Sequence, residues 1–131
     1  VILTNPDMLH VSVLPSHKQW HRVLSSLKYV VVDEAHTYKG VFGAHVAGVM
    51  RRLIRLCKRY GSSPQFFHCT ATIMNPALHF GCLLPLNMVG GDSKLTVIDT
   101  DTSPKGKKLF AMWNPPLNQL TLNHGGGAGG G

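Results

Sequence analysis

The stretch Tyr29-Val30-Val31-Val32-Asp33-Glu34-Ala35-His36 decides the fold. An aromatic residue and three β-branched residues follow one another without polar alternation. That pattern suits a strand of a parallel sheet covered on both faces. Two carboxylates stand directly after it, where an open parallel sheet places its ligand-binding crevice. Metal-assisted phosphoryl transfer uses such a pair. One carboxylate holds Mg2+, largely through water, and the next orients or deprotonates the attacking water. Glu34 is the only glutamate in the chain.

Outward from this stretch, strands and helices alternate. Upstream, Ile2-Leu3-Thr4 reads as the end of a strand, and Asn5-Pro6-Asp7 opens a short helix with Asn5 as cap and Pro6 at the first helical position. Ser16 is placed to cap a second helix, whose Trp20, Val23, Leu24 and Leu27 form one apolar face. Downstream, a turn at Gly40 and Gly43 leads into the longest helix, which runs to Tyr60. Val46, Val49, Met50, Leu53, Ile54 and Cys57 are its buried stripe. Arg51, Arg52, Arg55, Lys58 and Arg59 crowd its last turns and read as a solvated face, and Gly61 ends it. Gln65-Phe66-Phe67-His68-Cys69 predicts another buried strand with Thr70-Ala71-Thr72 at its C-terminal end, and Asn75-Pro76 opens a further helix. His45 and His68 read as satisfied polar residues. The order implies an α/β fold, a parallel sheet with flanking helices.

After Gly90-Gly91 the pattern changes. Leu95-Thr96-Val97-Ile98 and Leu109-Phe110-Ala111-Met112-Trp113 predict a β-hairpin around Ser103-Pro104-Lys105-Gly106, with Lys105, Lys107 and Lys108 at a charged tip and Trp113 packed. The expected division is therefore 1–90 for the α/β part, 91–117 for the hairpin and a connection, and 118–131 for a Gly-rich disordered tail.

Composition narrows the function classes. The 131 residues carry 13 Lys and Arg against 6 Asp and Glu, a net charge of +7, which favours a polyanionic partner. Three widely spaced cysteines do not make a disulfide framework, and neither they nor the eight histidines show the spacing of a zinc site. No apolar run approaches the ~18 residues of a membrane span. The start at Val1-Ile2-Leu3-Thr4 shows no secretory signal and reads as a cut within a longer chain.

Taken together, Ile2 to His10, Tyr29 to Val46 around the Asp33-Glu34-Ala35-His36 box, and Cys69 to Pro76 resemble a superfamily 2 DEAH-box helicase motor. More narrowly, the chain is similar to the Hrq-type DNA helicases and their bacterial MrfA-type relatives. Phe110 to Pro116 resembles the join to a second motor domain. The resemblance implies the later part of a first RecA-like P-loop NTPase domain. It implies ATP and Mg2+ as cofactors, with Asp33 on the Mg2+ of MgATP and Glu34 activating the hydrolytic water. His36 would contact the Thr70-Ala71-Thr72 segment, and Thr70 and Thr72 would relay nucleotide state to the domain cleft. Thr4, Asn5 and Asp7 would hold nucleic-acid phosphates, a role that helix N-termini also favour on physical grounds. Thr70 is a mild departure from the Ser-Ala-Thr that most members carry.

The implied activity is that of an ATP-dependent 3′-to-5′ DNA helicase acting on single-stranded or forked DNA in DNA repair. The implied location is the nucleus, or the cytoplasm in a bacterium. The sequence holds no G-x-x-x-x-G-K-[ST] phosphate loop; its one Gly-Lys, Gly106-Lys107, has Asp101 where the first glycine belongs. The expectation is a helicase fragment lacking the P-loop and the second motor domain, and inactive alone. The alternative readings are a non-enzymatic nucleic-acid-binding module and a non-functional remnant.

Overall fold

A computed structural model of the protein describes residues 1–89 and 95–115. The chain divides into two units, Val1–Asp99 and Thr100–Gly131.

In the first unit, strands β1 (Tyr29–Val32) and β2 (Gln65–His68) pair in parallel, from Tyr29 opposite Gln65 to Val32 opposite His68. The helix between them, α3 (Gly40–Arg59), makes the crossover a parallel pair requires. Three short helices surround this unit: α2 (His21–Ser26), α4 (Pro76–Leu83) and α5 (Leu86–Val89). Pro6–Met8 forms a single turn, α1, which continues as a π-helical turn over Leu9–Val13.

The periodic stripe of α3 is the centre of the core. Val46, Val49, Met50, Leu53, Ile54 and Cys57 are all buried, packed with Leu14, Leu24, Val32, Ala35, Leu83 and Leu84. Burial raises the pKa of the Cys57 thiol, which keeps it protonated and unreactive. The helix stops where Gly61 takes φ +81°. The Gly61 N–H bonds to Lys58 O and the Ser62 N–H to Cys57 O, the paired closure that a left-handed residue after a helix allows.

Two glycines of α3 behave oppositely. A Cβ on Gly43 would stand 2.6 Å from the Tyr38 carbonyl oxygen, which accepts from His79 Nε2, whereas a Cβ on Gly48 meets nothing within 4 Å. Gly43→Ala is therefore expected to destabilise the fold by about 1–3 kcal/mol through overpacking against backbone. Gly48→Ala is expected to stabilise it by about 0.5–1 kcal/mol by removing a flexible residue from a helix interior. Urea melts of the two variants check the pair, and equal midpoints would contradict the packing.

Several expectations are corrected. Ile2-Leu3-Thr4 is not a strand: among the described residues only β1 and β2 pair, and Val1 to Thr4, with no ladder partner, are exposed. The second helix starts at His21 and not after Ser16; Ser16 to Trp20 form turns, with the Gln19 N–H on Ser16 O, although Trp20, Leu24 and Leu27 do reach the core. Among the described residues the sheet is covered on one face only. Tyr29, Val31 and Phe67 project from the other and are exposed. The hairpin is not formed, because residues 95–115 contain no strand. Two isolated strands without a packed face do not hold together in water. What remains of its turn is local: Asp101 Oδ1 accepts the Ser103 N–H at 2.9 Å and its Oδ2 pairs with Lys105 Nζ at 2.8 Å, contacts that lower the Asp101 pKa. Trp113 is exposed and not packed. The Gly-rich tail lies outside the described residues. No helix among them is long and apolar enough to cross a membrane.

Candidate active site

The β1–β2 register sets the site. Beyond the last paired residues, the Cys69 N–H donates to Val32 O at 2.9 Å and the Ala35 N–H to Cys69 O at 3.0 Å, so the two strand ends stay laced together. Asp33-Glu34 and Thr70-Ala71-Thr72 therefore leave the same edge of the sheet side by side.

Glu34 is the only described non-glycine residue with positive φ (φ 49°, ψ 37°). A side-chain-bearing residue held there stores on the order of 1–3 kcal/mol of strain, and such residues cluster at functional sites. The turn is held from both sides. The Glu34 N–H donates to Asp33 Oδ1 at 2.9 Å, and Glu34 O accepts the Thr37 hydroxyl at 2.8 Å and the Thr37 N–H at 3.0 Å. A short 3-10 turn, Ala35–Thr37, follows, with Ala35 fully buried as its anchor. Both carboxylates remain exposed.

His36 sits between the two clusters. Its Nδ1 is 3.3 Å from Glu34 Oε2 and 3.5 Å from the Ala71 N–H. Unprotonated, that nitrogen accepts from Ala71; protonated, it donates to Glu34, and it cannot do both. His36 is thus a fork between the acidic turn and the end of β2. The Thr70 hydroxyl donates to Ala71 O at 3.1 Å, and Thr72 lies exposed one residue further on.

The N-terminal cluster is built separately. Asn5 Oδ1 caps α1 by accepting the Met8 N–H at 2.8 Å, and the Thr4 hydroxyl reaches Asn5 O at 3.5 Å. Asp7 is exposed in the first turn of α1. Among the described residues no hydrogen bond joins Thr4, Asn5 or Asp7 to Asp33, Glu34 or His36.

For a metal, Asp33 offers an exposed carboxylate with Oδ1 engaged by backbone, and the described residues contain no cluster of three metal-ligating side chains. This donor set suits Mg2+, which keeps most of its water and takes one or two carboxylates plus substrate phosphates. It does not suit an all-protein metal cage.

The expectation that His68 is satisfied is overturned. Neither ring nitrogen has a partner among the described residues, although both are out of contact with solvent, and the ring lies 4.4 Å from that of Phe80. Burial first, and then the neighbouring His79, pushes its pKa down to about 4. The unfolded chain, with an ordinary imidazole, binds the extra proton between pH 6.5 and about 4, so stability is full above that window and falls as pH drops through it. The loss is expected to be on the order of 2 kcal/mol after allowing for partial exposure. His68→Phe should flatten this part of a stability-versus-pH curve, and an unchanged slope would contradict the assignment. The sequence gives no hint of this residue, since satisfaction depends on partners from α4.

Comparison with known proteins places the site in context. The DEAD/DEAH box helicase family matches residues 1–79. The ATP-dependent helicase HRQ1 of Saccharomyces cerevisiae is 50% identical over 119 residues, covering 89% of this chain and 10% of HRQ1. The uncharacterized ATP-dependent helicase YprA of Bacillus subtilis is 46% identical over 123 residues, covering 94% of this chain and 16% of YprA. The crystal structure of the DUF1998 helicase MrfA bound to DNA and AMPPNP matches with a TM-score of 0.60 at 55% identity, over 61% of this chain and 11% of that one. The fold is accordingly that of a partial RecA-like helicase domain. Its acidic turn after β1, joined through His36 to the end of β2, lies within the matched segment, and the chain belongs to the DEAD/DEAH box helicase family.

Proposed function

We propose that this chain is the part of an ATP-dependent DNA helicase motor that activates water and couples hydrolysis to DNA movement. The observation that carries the reading is the strained Glu34 turn, set beside Asp33 and linked through His36 to Ala71. MrfA, bound to DNA and AMPPNP in its crystal structure, supports ATP and DNA as the ligands. The chain spans only a tenth to a sixth of the helicases HRQ1 and YprA, so the phosphate-cradling segment and the second motor domain belong, in this reading, to the rest of the polypeptide.

When bound, MgATP supplies the phosphoryl group, with charge on its oxygens neutralised by the ion. Asp33 would hold that ion with its exposed carboxylate. The Glu34 carboxylate would take a proton from the attacking water, as a positioned general base does. His36, released from Glu34 or from Ala71, would report the state of the site to Thr70 and Thr72. Thr4, Asn5 and Asp7 would lie along the phosphates of single-stranded or forked DNA. Travel in the 3′-to-5′ direction, a role in DNA repair, and a nuclear location (cytoplasmic in a bacterium) complete the proposal and rest on the Hrq-type resemblance.

The test is DNA-stimulated ATP hydrolysis and unwinding by the complete polypeptide, beside the isolated chain. The complete protein is expected to do both and the isolated 131-residue chain neither. Turnover by the isolated chain that Glu34→Gln abolishes would show that this part suffices and that the proposed division of labour is wrong.

A further inference from the structure

One flank of α3 carries charge that the proposed reaction does not use. Arg51 and Arg55 are four residues apart and Arg52 and Arg55 three, so the three share one helix face, with Cβ atoms about 5–6 Å apart. With His10, Asp7 and Phe42 they line a groove of about 680 Å³ between the N-terminal helical turns and α3. Arg52 Nη1 donates to His10 Nδ1 at 2.7 Å, which fixes one guanidinium at the groove. The ion pairs among the described residues are Glu34 with His36 and Asp101 with Lys105, so no carboxylate among the described residues neutralises these three arginines. Asp7 is the only acid in the lining. Phe42 lines the same groove and is half exposed, at 51%. Gly48 lines it too and leaves the wall open.

We propose that this groove binds the phosphates of single-stranded nucleic acid, with Phe42 as a stacking surface for a base. Guanidinium groups fit phosphate oxygens in pairs of hydrogen bonds, and an unneutralised cluster in a concave wall attracts anions more strongly than the same charges spread over a surface. Cations beside an exposed aromatic ring are what a single strand uses, since its bases are free to stack. The inference rests on the DNA-binding reading above and extends its contact surface from Thr4, Asn5 and Asp7 onto α3. Pro6 and Asp7 line the groove, so the two surfaces are continuous.

The experiment is fluorescence anisotropy of the full chain with a labelled oligothymidylate over a salt series. Replacing Arg51, Arg52 and Arg55 together by glutamine is expected to weaken binding by about tenfold or more. It should also make the slope of log K against log salt shallower by about 2, at roughly 0.7 per phosphate contact on a single strand. Gly48→Trp fills the groove without changing charge and is expected to weaken binding by about tenfold with a cooperative melt retained. Replacing Lys105, Lys107 and Lys108 by glutamine removes the same charge elsewhere and should change affinity less than about twofold. Equal losses from the two triple variants, or unchanged binding by a folded Gly48→Trp, would overturn the groove. Displacement by polyglutamate at matched charge would assign the surface to an acidic protein instead. Absence of oligothymidylate binding by the unaltered chain at low salt would count against the DNA reading itself, whereas binding that survives the groove variants counts against the groove alone.

Discussion

Glu34→Gln in the complete polypeptide is expected to reduce ATP turnover by about 10²–10⁴-fold, the contribution of a positioned general base. The substitution keeps the side chain's length and shape, and the backbone bonds that hold the turn come from Asp33 and Thr37 and not from the Glu34 carboxylate. Nucleotide binding should therefore survive while the chemical step fails. Steady-state hydrolysis together with equilibrium binding of a fluorescent ATP analogue separates the two. Turnover within a few-fold of the unaltered protein would remove Glu34 from the reaction. Loss of binding and turnover together would mean that the variant had disturbed the strained turn instead.

Ile54→Ala carries the largest expected effect on stability. Ile54 is 2% exposed at the centre of the α3 stripe, among the largest fully buried side chains of the fold. Truncation there combines lost burial with a residual cavity and costs about 2–5 kcal/mol. Small domains have about 5–15 kcal/mol in total, so a loss of this size is a large share of the stability and the variant should melt far earlier. Val41→Ala, on an exposed position of the same helix, should stay within about 0.5 kcal/mol of the unaltered chain. Urea melts of both variants make the comparison. An Ile54→Ala midpoint equal to that of Val41→Ala would mean that the stripe of α3 does not anchor the core.

These predictions draw on features of unequal legibility in the sequence. The segment from Tyr29 to His36 is readable because fold and chemistry coincide there: an apolar strand ends directly in its carboxylates. Helix α3 is readable because its apolar period persists over 20 residues and Gly61 marks its end. The hairpin is not legible because the short apolar runs at 95–98 and 109–113 read as strands by composition alone, whereas all but Leu95 are exposed in the structure. Ile2 to Thr4 fail as a strand for a related reason, since a strand exists only through its partner. The left-handed conformation of Glu34 is invisible in the sequence, because nothing in its residue type favours positive φ; the laced strand ends impose it. His68 and the Arg51, Arg52, Arg55 groove were hidden by distance along the chain. Their character is set by Phe80 and His79 in one case and by His10, 42 residues from Arg52, in the other.

The central claim is that the acidic turn after β1 faces the reacting phosphate. It is tested most directly by a crystal structure of the complete polypeptide with AMPPNP, Mg2+ and single-stranded DNA. The account predicts that an Asp33 oxygen lies on the metal or on one of its waters, with the Glu34 carboxylate turned toward the terminal phosphate across a single water. A nucleotide bound elsewhere, with Asp33 and Glu34 open to bulk solvent and His36 apart from Ala71, would contradict it.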